Sequence, residues 1–227
     1  QSGTVSLSNT NGQLITGSLT GITGDAAKGS LVIDVTGGID GSVVGVVPGG
    51  KADSVRLTLS TVAGSVTGLA DGAQAGGLLV KAGGVNGDFT GLGTGAAVTG
   101  SVTLTATVGG SAVGLKTNAS AGSVIMTVGG GSSAAGLLSG ASAASLTMTV
   151  YSPAGSVTGT GGHVAGDVSL TVSGGAGGTG IAVTGASGAV VDGTVSVTVK
   201  NVTAIGSARA VEGGTAAGAA LTLENPA

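Results

Sequence analysis

One short pattern of Val, Leu and Thr returns every 22 to 27 residues along the whole chain, and this repeat limits the folds available to it. From Ser101-Val102-Thr103-Leu104-Thr105 a step of 22 residues reaches Ser123-Val124-Ile125-Met126-Thr127. Further steps of 22 give Ser145-Leu146-Thr147-Met148-Thr149 and Asp167-Val168-Ser169-Leu170-Thr171. Other copies begin at Thr4, Ser30, Ser54, Gly77, Thr194 and Ala220, making ten in all. Self-similarity at this period marks a solenoid, in which each repeat is one turn stacked on the next.

A second column shares the period. It is an apolar–any–Gly–apolar tetrad, as in Leu19-Thr20-Gly21-Ile22, Val66-Thr67-Gly68-Leu69, Phe89-Thr90-Gly91-Leu92 and Ala134-Ala135-Gly136-Leu137. Val157-Thr158-Gly159-Thr160 is a degraded copy, and the phase blurs at Ile181-Ala182-Val183 and Ala204-Ile205-Gly206-Ser207. A third segment of small residues precedes the first column, as in Ala119-Ser120-Ala121. Longer steps near Gly174–Gly193 and Asn201–Ala219 predict larger corner loops there.

Within the first column apolar residues alternate with Ser, Thr or Asp. Val102, Leu104 and Ala106 fall on one side, and Thr103, Thr105 and Thr107 on the other. That period of two belongs to a strand with one buried face. Val and Thr are β-branched and favour extended backbone. The 50 glycines argue against helix, where each interior Gly costs about 1 kcal/mol relative to Ala, and favour tight corners with positive φ. The expected fold is all-β: a parallel β-helix (β-solenoid) forming one domain over residues 1–227, with about ten turns of 22–27 residues, right-handed and three-sided. At ~4.8 Å per strand its rod is roughly 45–50 Å long. With one Phe, one Tyr and no Trp, the core is thin, and ladder hydrogen bonds and stacking of like residues carry much of the stability.

Composition excludes several functions. Seven Lys and Arg, scattered from Lys28 to Arg209, form no stripe for nucleic acid. The absence of Cys removes disulfides and thiolate chemistry. No run of 18 apolar residues predicts a transmembrane helix, and the aromatic girdles of a membrane barrel are missing. A chain that opens on Gln1 inside the first repeat predicts a secreted protein whose signal peptide has been removed.

The remaining motifs read as structure. Gly175-Ala176-Gly177-Gly178-Thr179-Gly180 fits the dinucleotide fingerprint, but the strand-like Ile181-Ala182-Val183 follows in place of the helix that would hold a pyrophosphate. Gly45 to Lys51 begins a P-loop, but Ala52 stands where the Mg²⁺-binding hydroxyl belongs. Gly83-Gly84-Val85-Asn86-Gly87-Asp88 is similar to a calcium-binding Gly/Asp turn, yet it occurs once where such sites need tandem copies. Asp25, Asp40, Asp53, Asp71, Asp88, Asp167 and Asp192 mostly fall at corners. His163 is the single histidine, which argues against triads and metal sites. Glu212 and Glu224 are the only glutamates, and Asp34 with Arg56 one turn later reads as a solvent-facing ladder pair. No catalytic, cofactor or metal site is expected, and no enzyme. Asn118-Ala119-Ser120 and Asn201-Val202-Thr203 are N-glycosylation sequons.

Thr105, Thr127, Thr149, Thr171 and Thr198, extended by Thr58 and Thr222, form an outward column. Such arrays are similar to the faces of ice-binding solenoids. The Gly/Val/Thr/Ser-rich repeats as a whole resemble bacterial and archaeal surface β-solenoids, including autotransporter passenger and filamentous adhesin domains. That resemblance implies an extracellular or cell-surface protein. The repeat runs from about residue 4 to about residue 223 without a helical or charged cap. Strand edges left uncovered at solenoid ends invite pairing with another chain. The expected function is a secreted structural subunit that joins copies of itself head-to-tail into a filament, sheath or surface layer, with Thr4, Val5, Ser6 and Leu7 at one edge and Leu221, Thr222 and Leu223 at the other. Its partners are then itself and cell-surface polysaccharide or other filaments. The alternatives are a monomeric adhesin or ice-binding module and, further off, a carbohydrate-active β-helix enzyme.

Overall fold

The computed structural model describes residues 3–24, 29–174, 180–202 and 204–224. Among them every regular element is a strand, and every pairing between strands is parallel. The chain is a β-solenoid. Its first sheet has ten rungs: Gly3–Asn9, Gly29–Ile39, Lys51–Val62, Gln74–Val85, Ala97–Val108, Ser120–Gly130, Ser142–Tyr151, an eighth split into His163–Val164 and Val168–Ser173, Val190–Lys200 and Thr215–Glu224. The second sheet has nine strands, from Leu19–Ile22 to Ile205–Glu212, each lying between two rungs of the first in sequence. Ten rungs and nine strands make about nine complete turns, one fewer than the ten repeat copies suggest, because the last copy supplies only its first-sheet strand.

The sequence repeat is the hydrogen-bonded register. Val5, Leu31, Val55, Leu78, Val102, Val124, Leu146, Val168, Val195 and Ala219 are successive partners in one column. Leu7, Ile33, Leu57, Val80, Leu104, Met126, Met148, Leu170, Val197 and Leu221 form the next. Parallel stacking of equal repeats brings like residues into contact, so each column buries its own apolar surface. From Leu31 to Val195 and from Ile33 to Val197, both columns are buried.

The small-residue segments form the N-terminal arm of the long first-sheet rungs, in the same ladder, where Ala52, Ala75, Val98, Ala121 and Ala143 stack. In the third rung the inward residues are Ala52, Val55, Leu57, Leu59 and Val62. A strand buries every second residue, and the two three-residue steps mark where the chain bends around the core. The ladder is irregular at equivalent places, between Ala75 and Leu78 and between Ala82 and Val85. Such interruptions increase local twist and turn a strand's direction. The long rung thereby wraps most of the core, and the second-sheet tetrad closes it.

Glycine has two roles. Eleven described glycines adopt positive φ, as the corner reading requires. The tetrad glycines do not. They lie inside strands, where a Cβ on Gly68 would come within 2.7 Å of the Gly91 carbonyl oxygen and 2.8 Å of Leu78 Cδ2. Glycine here admits the leucine of the facing sheet. The degraded tetrad keeps a closed core by another route: Thr160, fully buried in place of Leu, accepts the Gly162 N–H at Oγ1 (3.0 Å). Among the described residues no buried side-chain polar atom lacks a partner.

Candidate functional site

The rod's surface has three chemically distinct regions: its end rungs, its hydroxyl face and its corners. At one end, the first rung carries Thr4, Val5, Ser6 and Leu7, with Val5 55% and Leu7 41% exposed. At the other, the tenth carries Leu221, Thr222 and Leu223, with Leu221 41% and Leu223 55% exposed. Their counterparts one rung inward, Leu31, Ile33, Val197 and Val199, are at most 2% exposed. The exposed apolar side chains are therefore core columns without a further neighbour, since no described strand pairs with the outer edge of either rung. The fold sets the two groups of edge residues at opposite ends of one ladder.

Charge at the last turns is locally neutralised. Lys200 Nζ lies 3.4 Å from Glu224 Oε2, and Arg209 donates to Glu212 Oε1 at 2.9 Å. Both glutamates of the chain are thus held in exposed ion pairs. His163 Nε2 lies 3.1 Å from Asp192 Oδ2, one rung away, also at the surface. Among the described residues no three His, Asp or Glu side chains gather. Asp34 and Arg56 do not pair: the register sets Asp34 beside Thr58 and Arg56 beside Val32, so the two stand diagonal.

On the outer side of the first sheet, Thr58, Lys81, Thr105, Thr127, Thr149, Thr171, Thr198 and Thr222 are successive ladder partners. The threonine column is real and is broken once, by Lys81. The column beside it varies: Thr103, Ile125, Thr147 and Ser169. Across the fifth to seventh rungs this face bears no charged residue, and it displays exposed Ile125 and Tyr151.

The corners carry a polar ladder that the apolar repeat does not reveal. Ser18 Oγ accepts the Ser42 N–H, Ser42 Oγ the Ser65 N–H and Ser65 Oγ the Asp88 N–H, each at 3.1 Å. Asp88 Oδ1 then accepts the Ser111 N–H at 2.8 Å. The signal is a Ser or Asp immediately before each tetrad, at Ser18, Ser42, Ser65, Asp88, Ser111, Ser133 and Ser156. Ser133 Oγ continues the line by bonding to Ser111 Oγ at 3.1 Å, and the side chains of Ser18, Ser42, Ser65 and Asp88 each satisfy a backbone donor where the regular ladder is interrupted. Asp71 and Asp167 do the same for Thr94 and Thr194 at other corners, both at 2.8 Å. Of the Gly/Asp run Gly83–Asp88, the first three residues end the strand Gln74–Val85 and only Asn86, Gly87 and Asp88 form such a corner.

Both sequon asparagines occupy corner positions with positive φ, +58° for Asn118 and +53° for Asn201. Asn118 stands where neighbouring turns place Gly72, Gly95 and Gly140, third in a β-turn closed by the Ala119 N–H on the Lys116 carbonyl (3.0 Å). Asn is the non-glycine residue that best tolerates this conformation. Both side chains are exposed. Thr203, which completes the second sequon, and Gly175–Thr179 of the dinucleotide-like run lie outside the described residues. The P-loop-like run enters the strand Lys51–Val62 in place of a helix. No described helix is long and apolar enough to cross a membrane.

Compared with family models, curated proteins and solved structures, the chain matches none.

Proposed function

We propose that this chain is a non-enzymatic structural subunit that joins copies of itself end to end, outside the cell, into a filament or surface layer. One observation carries the reading: both end rungs present the core columns, uncovered and in matching order. Stacking the first rung of one copy on the tenth rung of another sets Leu7 on Leu221, Val5 on Ala219 and Ser8 on Thr222. Leu7 on Leu221 and Ser8 on Thr222 set apolar on apolar and hydroxyl on hydroxyl as internal rungs do, while Val5 meets the smaller Ala219 in a column that carries Val or Leu elsewhere. Edge strands with free N–H and C=O groups pair in this way. The contact is heterologous, and heterologous contacts that do not close generate open polymers. The extracellular placement rests on the likeness of the repeats to surface solenoids. Asn118, exposed at a corner, is available there for glycosylation.

Negative-stain microscopy of the purified full chain tests this. Unbranched fibres that persist in detergent are expected, with Leu7→Lys or Leu223→Lys abolishing them while preserving the monomer's β-sheet circular dichroism. A monodisperse monomer at high protein concentration overturns the reading. It would favour the second one, a monomeric adhesin or ice-binding rod, which the uncharged threonine-bearing face of the first sheet supports.

A further inference from the structure

The second sheet changes at its last strand. In eight successive strands the third tetrad position is glycine, and a Cβ there would fall under 3.0 Å from the carbonyl oxygen of the next turn's equivalent residue. For Gly91 the distance to Gly114 O is 2.5 Å, and for Gly185 the distance to Ala210 O is 2.5 Å. Real Cβ atoms essentially never approach so closely, so wherever another strand follows, this position has no Cβ. In the ninth strand, Ile205–Glu212, the register sets Arg209 beside Thr184 and Val211 beside Ala186, so the residue in the glycine column is Ala210. By the geometry of the eight glycines, a methyl in this column is directed at the place of the next turn's carbonyl.

A second position changes with it. Gly21, Gly68, Gly136 and Gly185 lie against Leu31, Leu78, Leu146 and Val195 of the first sheet. In that first-sheet column every rung carries Val or Leu until the tenth, which carries Ala219. The last turn thus exchanges a Gly–Val or Gly–Leu pairing for Ala210 with Ala219, and the two or three carbons given up on the first sheet leave room for the one gained on the second.

We infer that Ala210 closes the second sheet to any added strand, so that the C-terminal end of the rod receives a second copy through the first sheet alone, on Thr215–Glu224. This rests on the end-to-end reading above and specifies its joint. The first sheet runs one rung past the second at this end, so a stacked copy leaves a notch one strand wide above Ile205–Glu212. The methyl keeps that notch empty and directs pairing to one edge.

The test has two arms. In the first, a fluorescent heptapeptide of residues 17–23, a natural second-sheet strand, is titrated against the full chain, Ala210→Gly, and the double variant Ala210→Gly/Ala219→Val that restores the internal pairing. No saturable anisotropy change is expected for the natural chain up to about 1 mM. At least tenfold tighter binding is expected for the double variant, or for the single one should the double variant fold poorly. Equal binding to all, or binding to none, overturns the inference. In the second arm, hydrogen exchange on fibres of the natural chain is expected to protect amides of 215–224 while leaving those of 205–212 as in the monomer. Protection of both segments overturns the single-edge joint but leaves the fibre. If the natural chain forms no fibres, the end-to-end reading falls, and the peptide titration still decides the role of Ala210.

Discussion

Two glycine-to-alanine substitutions in adjacent turns should move stability in opposite directions. Gly114 and Gly129 both lie in strands with negative φ, so backbone preference does not separate them. In each case alanine restricts the unfolded chain and contributes about 0.4–1 kcal/mol of stability where the native site accepts it. At Gly129, on the outer face, the added Cβ meets Thr107 Oγ1 at 3.5 Å, an ordinary contact. At Gly114 the nearest atoms are all Gly136 backbone, with the Gly136 carbon at 3.3 Å and its oxygen nearer still. No rotamer can relieve that collision, because the obstacle is main chain. Adjacent turns must separate, and forced overpacking of this kind costs about 1–3 kcal/mol. The net expectation is about 1–2 kcal/mol lost for Gly114→Ala and up to about 1 kcal/mol gained for Gly129→Ala. For a chain of this size that is roughly 2–8 °C down and 1–4 °C up in the thermal midpoint, at ~2–4 °C per kcal/mol. Far-UV circular dichroism melts of dilute protein suffice to measure it. Shifts of the same sign for the two variants would refute the claim that the tetrad glycines are set by steric contact between turns.

Two further substitution pairs probe the ladder and the faces. Asp88→Ala should cost about 1–2 kcal/mol in denaturant midpoint, since the Ser111 N–H loses its acceptor at an interrupted ladder, whereas Asp88→Ser should restore most of it, as serine does at Ser42 and Ser65. Val124→Asp, a charge placed in a fully buried column, should prevent folding as judged by loss of the β-sheet spectrum, while Thr127→Lys should leave the monomer folded, because Lys81 already occupies the same outward column.

The strongest periodic signals carried furthest. Alternation along Val102–Thr107 gave the inward and outward sides correctly, and the 22-residue step from Ser101 to Ser123 is the observed register. Sequence could place the tetrads but not explain them, because the role of Gly68 depends on Leu78 across the core and on Gly91 in the next turn. The Ser/Asp ladder stayed hidden for a related reason: Ser is so common here that its position before each tetrad looks like composition until the Ser42 N–H is seen on Ser18. Asp34 and Arg56 misled because charge attracts notice, whereas register is fixed by apolar columns, which set Asp34 beside Thr58. Thr160 looked like decay of the pattern, but the hydrogen bond from Gly162 makes it a closed alternative to leucine.

In a solenoid each turn touches only its neighbours, so a turn's sequence states what is expected above and below it. Gly159 requires a close carbonyl on its outer side and receives that of Gly185; Gly185 in turn receives that of Ala210. Ala210 accepts no such neighbour, and with Ala219 it is the one place where both facing columns depart from the internal rule together. Beside Ala219 the other first-sheet columns are kept: Leu221 and Leu223 continue theirs to the last described rung, and Leu7 begins one of them at the first. One ladder is thus written to stop and the other to continue. A rod evolved only to avoid association would be expected to blunt both edges with charge or proline. Exposed leucines on one edge beside a methyl in the other sheet's glycine column are what the proposed joint needs: one edge free to pair and one closed.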